Sequence, residues 1–205
     1  MPVLIDQHLR EHIAHEESFF PISFFENELS ELPGREGPLH WHPDFEIARA
    51  EAGILDYQVE QDHILLRAGD ILLVNRNRIH GVRQIAGALP DPLPNMVFSA
   101  TLIAPESSTI YQKYIAPVSD CTCLPYIVFR QGEGWCGEAC RLVDDIFTLL
   151  RQQPPCYEMA VQRNLSRLFE FLFLHFDALP RFSATGIQLR AQVRVQKMLA
   201  YIYAH

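Results

Sequence analysis

The sequence predicts a mainly β protein with α: a small β-barrel followed by a helical segment. Three observations predict it. Up to about Ala104 the apolar residues fall in short runs broken by Gly, Pro and Asn, the texture of strands joined by tight turns. After Pro105 they recur at intervals of three and four, the period of amphipathic helices. Within the β part, two histidines and a glutamate share one parity of a single strand-like run, which predicts that they face one side.

Residues 1–17 read as an N-terminal arm. Ile5 to Glu17 is polar and helix-like, with His8, His12 and His15 on one helix face. It reads as a solvated arm ahead of a metal site. The barrel spans 18–105, with strands expected at Ser18–Phe25, Leu39–Ala48, Ile54–Val59, His63–Arg67, Ile71–Val74, His80–Gln84 and Met96–Ile103. Turns are expected at Pro33-Gly34, Gly37-Pro38, Ala68-Gly69-Asp70 and Asn75-Arg76-Asn77. Leu89 to Asn95 holds three prolines in seven positions and predicts loop.

The helical segment spans 106–180. Trp135 to Arg151 places Cys140, Val143, Ile146, Phe147 and Leu150 on one helix face and stops at Pro154-Pro155. A second helix, Cys156 to Phe176, adds Phe169, Phe171, Phe173 and Phe176 to its stripe and reads as apolar nearly all round. Such a helix needs covering on two sides, which predicts a homodimer. Residues 181–205 comprise a linker and a last helical pattern through Val195, Leu199 and Ile202. This pattern breaks off uncapped at His205, as expected of a chain that continues.

Composition excludes several classes. The chain has 205 residues, 48% of them hydrophobic, so it can bury a core and is not a disordered tract. With 17 basic and 25 acidic residues its net charge is −8, and it carries no general attraction for phosphate backbones or anionic lipid. No apolar run suits a membrane span, and the first residues lack the apolar core of a signal peptide. Five cysteines without zinc-site spacing read as reduced thiols, and a cytoplasmic location is expected. Glycine-rich nucleotide loops and a nucleophile elbow are absent.

The chemistry gathers in His40-Trp41-His42-Pro43-Asp44-Phe45-Glu46. His40, His42 and Glu46 converge on one face, and a neighbouring strand brings His80 to the same interior. Three imidazoles and a carboxylate suit a divalent metal such as Zn, Ni, Fe or Mn, and equally line an effector pocket. Trp41 points away, against a helix or the arm. Arg49, by parity, faces solvent. Arg67 and Arg83 read as solvated.

The run His-x-His-x3-Glu-x6-Gly, filled by His40, His42, Glu46 and Gly53, resembles the first cupin motif. Gly69, Asn75, Asn77 and His80 resemble the second, with Asn75 in place of the usual Pro and Asn77 in place of the usual Gly. The resemblance implies a cupin-type double-stranded β-helix, that is, a jelly-roll barrel. The segments LHWHPDFEIARAEAG, LRAGDILLVNRNRIHGV and VRVQKMLAYIYAH together look like an AraC-family transcription regulator. That resemblance implies an effector-binding barrel, dimerisation helices, and DNA contact only through a C-terminal half that begins in 181–205. It implies no required cofactor and no enzymatic activity. The alternatives are a metal-dependent cupin enzyme, a dioxygenase or isomerase using the same four residues, and a plain dimerisation module whose barrel is filled by its own side chains.

Overall fold

The computed structural model describes residues 5–13, 15, 19–86, 92–132 and 134–179. Two antiparallel sheets face each other. One has the order β1-β8-β3-β6-β9 and the other β2-β7-β4-β5. The first comprises β1 (Ile22–Glu28), β3 (Phe45–Arg49), β6 (Ile71–Val74), β8 (Pro92–Phe98) and β9 (Tyr126–Phe129). The second comprises β2 (Glu36–His40), β4 (Ile54–Val59), β5 (Asp62–Arg67) and β7 (His80–Ala86). The expected jelly-roll barrel followed by helices is the observed fold.

Strand alternation divides the core in two. On β6, Ile71 and Leu73 face the helices, while Leu72 and Val74 face the barrel interior. Burial on both faces explains the unbroken apolar run there. On β3, Phe45 and Ile47 face the helices and Ala48 faces the interior. The helices α2 (Cys136–Gln152) and α3 (Tyr157–Leu174) lie within a residue or two of their expected bounds. Phe169 of α3 packs its ring against Phe45 and Phe98, with centroids 5.2 and 6.4 Å away. Val161, Leu165, Leu168 and Leu172 complete the buried stripe. A short α1 (Ala116–Ser119) precedes β9.

Several expectations are corrected. Leu39–Ala48 is not one strand: β2 ends at His40, and the chain crosses to the other sheet before β3 begins at Phe45. Pro43 sits in that crossing, where its missing N–H removes no ladder bond. The last barrel strand runs Pro92–Phe98, and Ala100–Leu102 is a 3-10 turn, so Met96–Ile103 and the loop expected through Asn95 are both revised. Pairing of β8 with β3 extends only to Asn95, leaving that edge open at Pro92 and Pro94. Strand β9, absent from the expected set, pairs with β6 and supplies Ile127 and Phe129 to the helix-side core.

The arm is also not helical where described. Asp6 accepts backbone N–H bonds from His8 and Arg10 at 2.7 and 3.0 Å, and isolated bridges join Ile5 to Glu11 and Arg10 to Trp41. A side chain that captures backbone donors in this way competes with a helix. Helix α3 is amphipathic rather than apolar all round: Gln162, Arg163, Ser166, Arg167 and Glu170 are exposed. The segment expected in 181–205 lies outside the described residues.

Candidate functional site

The four sequence-predicted residues meet at one end of the barrel. Their ligand atoms lie within 4.8 Å of one another, with His42, Glu46 and His80 buried and His40 at the margin. Convergence does not come from one strand's parity. His40 closes β2 directly opposite His80 on β7, whereas Glu46 comes from β3 in the facing sheet. His42 hangs from the crossing between them. Gly81 lets β2 approach: a Cβ there would stand 3.0 Å from the Gly37 carbonyl oxygen. Asn77, in place of the usual Gly, adopts φ 57°, a left-handed conformation that Asn tolerates, and donates its N–H to the His42 carbonyl at 2.9 Å. Asn75, in place of the usual Pro, donates its side-chain amide to the carbonyls of Val118 and Leu124, tying the turn to the helical segment.

Hydrogen bonds orient all three rings alike. Nδ1 of His40 lies 2.8 Å from the Pro38 carbonyl, Nδ1 of His42 3.0 Å from that of Asp44, and Nδ1 of His80 2.8 Å from that of Arg78. A carbonyl only accepts, so each Nδ1 carries a hydrogen and each neutral ring turns its Nε2 lone pair inward. Yet Nε2 of His80 is 3.1 Å, and Nε2 of His42 is 3.4 Å, from the same oxygen, Oε2 of Glu46. Lone pairs facing a carboxylate require a proton or a cation between them. The donor set therefore fits a divalent cation, which would be held by His40, His42, Glu46 and His80 and would act as a Lewis acid toward a ligand.

With protons as the only cations, the cluster behaves as an ion pair. Burial opposes charge on His80, but the Glu46 carboxylate more than offsets it and raises the imidazole above its ordinary value. Burial likewise opposes charge on Glu46, and His80 and His42 nonetheless hold it well below the usual carboxylate range. His40 is lowered to about 4 by burial and by His80. Two residues not singled out from the sequence join the site. Tyr57 donates its hydroxyl to Oε1 of Glu46 at 2.8 Å; Glu11, on the arm, places Oε2 3.3 Å from Nε2 of His40. Burial and then Glu46 raise Glu11 to about 7. Tyr57 was findable from alternation on β4; Glu11 rests on a contact that no local pattern encodes.

Leu29, Leu55, Tyr57, Val59, Leu66 and Leu93 pack the barrel below the cluster. Beside it, a cleft of about 190 Å³ opens between arm and barrel, lined by Arg10, Glu11, His12, Ile13, His42, Pro43 and Asp44. Trp41 faces the arm as expected, its indole donating to the His8 carbonyl at 3.0 Å. Arg49 is only part-exposed: it pairs with Asp144 of α2, because the face of β3 opposite Glu46 is the one the helices cover. Arg67 is exposed, and Arg83, 55% exposed, pairs with Asp56. His12 and His15 pair with Asp6 and Asp44. Neither they nor His8 form a metal-ligand group among the described residues.

Residues 29–88, which run through the two facing antiparallel sheets and carry this quartet, match the family model described as Cupin domain. Beyond the barrel, the chain is similar to an HTH-type transcriptional regulator, YdeC of Bacillus subtilis (strain 168). The two are 23% identical over 205 residues, which is 98% of this chain and 67% of that protein. The resemblance to a transcription regulator read from the sequence is thus borne out. In fold the chain is similar to apo ToxT K231A from Vibrio cholerae, with a TM-score of 0.53, 6% identity, and coverage of 77% of this chain and 57% of that one. ToxT bound to (E)-4-(8-methylnaphthalen-1-yl)but-3-enoic acid gives 0.51 at 10% identity, covering 74% and 56%. The chain thus spans about two thirds of its regulator relative and little over half of ToxT. Among the described residues no helix is long and apolar enough to cross a membrane.

Proposed function

We propose that this chain is the ligand-sensing and dimerisation part of an AraC-type transcription regulator. A ligand engages His40, His42, Glu46 and His80 at the barrel mouth and controls DNA binding by a C-terminal half. The observation that carries the proposal is the buried quartet with its inward lone pairs, on a chain similar to a transcription regulator along nearly its whole length. The division follows the sequence: arm 1–17, effector-binding barrel 18–105, dimerisation segment 106–180, and linker with the start of a helix-turn-helix unit in 181–205. The expected location is the cytoplasm.

A sensor needs a ligand that distinguishes two arrangements of the molecule. Here the ligand-capable groups gather in one cluster while the barrel interior beside them is apolar, which supports a mouth site over a deep polar pocket. A divalent cation is part of that site, with a small-molecule effector approaching through the adjoining cleft. Binding there acts on both β2 and β3, hence on both sheets, and through the Asn75 bonds on the helical segment. The test is DNA retention by the full-length parental protein, with Zn2+ added or chelated and small-molecule effectors screened. Wild type should change its DNA affinity at least about tenfold on ligation, and His42→Ala and His80→Ala should not respond. An unchanged affinity in wild type under every condition contradicts the reading.

One observation favours a second reading, a metal-dependent cupin enzyme: the quartet is a complete donor set with room for substrate beside it. Oxygen uptake or isomerisation by the metal-loaded chain, lost in His42→Ala, would select it.

A further inference from the structure

We propose that Glu11, carried on the N-terminal arm, is a further cation ligand of the barrel site, so that cation binding and docking of the arm are one coupled event. The inference rests on reading the quartet as a cation site and adds to it a residue far away in sequence.

The case begins with a ring lone pair facing a carboxyl group, a contact that needs a proton or a cation between the two. Nδ1 of His40 is committed to the Pro38 carbonyl, so Nε2 presents a lone pair. Oε2 of Glu11 stands 3.3 Å from it. Two donors bound to one ion at about 2.1 Å are about 3.0 Å apart at a right angle and about 3.4 Å apart at a tetrahedral one. The spacing of Glu11 and His40 falls between these, as does that of His80 and Glu46 at 3.1 Å. Among the described acidic groups outside the quartet, Glu11 is the one that pairs with a member of it.

The backbone holds Glu11 there. Its N–H donates to the Trp41 carbonyl at 2.9 Å, and the Trp41 N–H donates to the Leu9 carbonyl at 2.8 Å. Trp41 lies between His40 and His42, so the arm is bonded to the very segment that supplies two ligands. The cleft at the barrel mouth is walled on one side by Arg10 to Ile13 and on the other by His42 to Asp44. Charge agrees as well. Glu46 and Glu11 bring two negative charges to three imidazoles, which a divalent cation balances. A cation then ties the arm to the mouth, and its loss leaves two carboxylates near each other while the arm keeps its backbone bonds, the Trp41 indole bond to the His8 carbonyl and the His15–Asp44 pair.

The experiment is a calorimetric titration of the metal-free full chain with Zn2+ alone and with Mn2+ alone, paired with amide hydrogen exchange at Glu11 and Trp41. Wild type should bind one equivalent and slow exchange at both amides. Glu11→Gln should bind at least about tenfold more weakly, with exchange unchanged on cation addition. Equal affinity and equal protection in Glu11→Gln would overturn the role of Glu11 while leaving the quartet intact. No binding by wild type would overturn the quartet reading and this inference together.

Discussion

The two cores of this molecule are built on opposite terms. The core between the five-stranded sheet and α2–α3 is built mainly from apolar side chains, with Phe45, Phe98, Phe147 and Phe169 fully enclosed. The barrel interior is apolar only below its mouth; at the mouth it buries Glu46, His42 and His80 at 1–3% exposure. Burying three ionisable groups costs stability unless they have partners. The comparison separates scaffold from site: the helix-side core supplies the stability, and the barrel mouth spends part of it on groups that no packing argument requires.

Substitutions can break that separation. Phe169→Ala should destabilise by about 3–5 kcal/mol in urea unfolding, with little change in cation affinity of the folded protein. His80→Ala and His42→Ala should do the reverse. They should lower Zn2+ affinity at least about 100-fold, roughly 2.7 kcal/mol, with a cooperative unfolding transition retained. A quartet variant that unfolds while Phe169→Ala binds Zn2+ poorly would erase the distinction.

Titration sharpens it. His40, at about 4, takes a proton in the unfolded chain first, so its contribution to stability rises with pH from about 4 to 6.5. Glu11, at about 7, holds its proton longer when folded, so its contribution falls from 4.5 to about 7. His80 is raised, and its contribution is present below 6.5 and lost as pH rises through its folded value. Above pH 6.5 both remaining contributions fall. Metal-free protein should therefore lose on the order of 1 kcal/mol between about pH 6.5 and 8 in urea titrations. Zn2+ should reverse this trend, because a cation prefers deprotonated donors.

Smaller effects come from the supports. Tyr57→Phe removes the hydroxyl that orients Glu46 and should weaken Zn2+ binding about tenfold by calorimetry. Arg49→Ala, on the helix side of the same strand, breaks a partly exposed pair with Asp144. It should shift unfolding by no more than about 1 kcal/mol and leave binding unchanged.

Motif spacing made the quartet legible, and turn residues with period-2 and period-3.6 patterns made the barrel and both long helices legible. What escaped was set by tertiary pairing. Pro43 permits a sheet crossing that reads as one continuous strand, and β9 is too short to announce itself beside helical sequence. Arg49 has the parity of a surface residue on a barrel, but helices cover that side. Glu11 reaches His40 through a chain path fixed by Asp6 and Trp41. The departures Asn75 and Asn77 both keep the turn: Asn75 adds two side-chain hydrogen bonds to the helical segment, and Asn77 adopts the left-handed φ of 57° that suits the usual Gly.

The central claim, that the barrel mouth is a ligand site built on His40, His42, Glu46 and His80, is tested most directly by adding Zn2+ to metal-free protein and following thermal unfolding. Wild type should show one saturable equivalent and a rise in Tm, with no rise in His42→Ala or His80→Ala. A wild-type Tm indifferent to the cation, or the same rise in all three proteins, would contradict it.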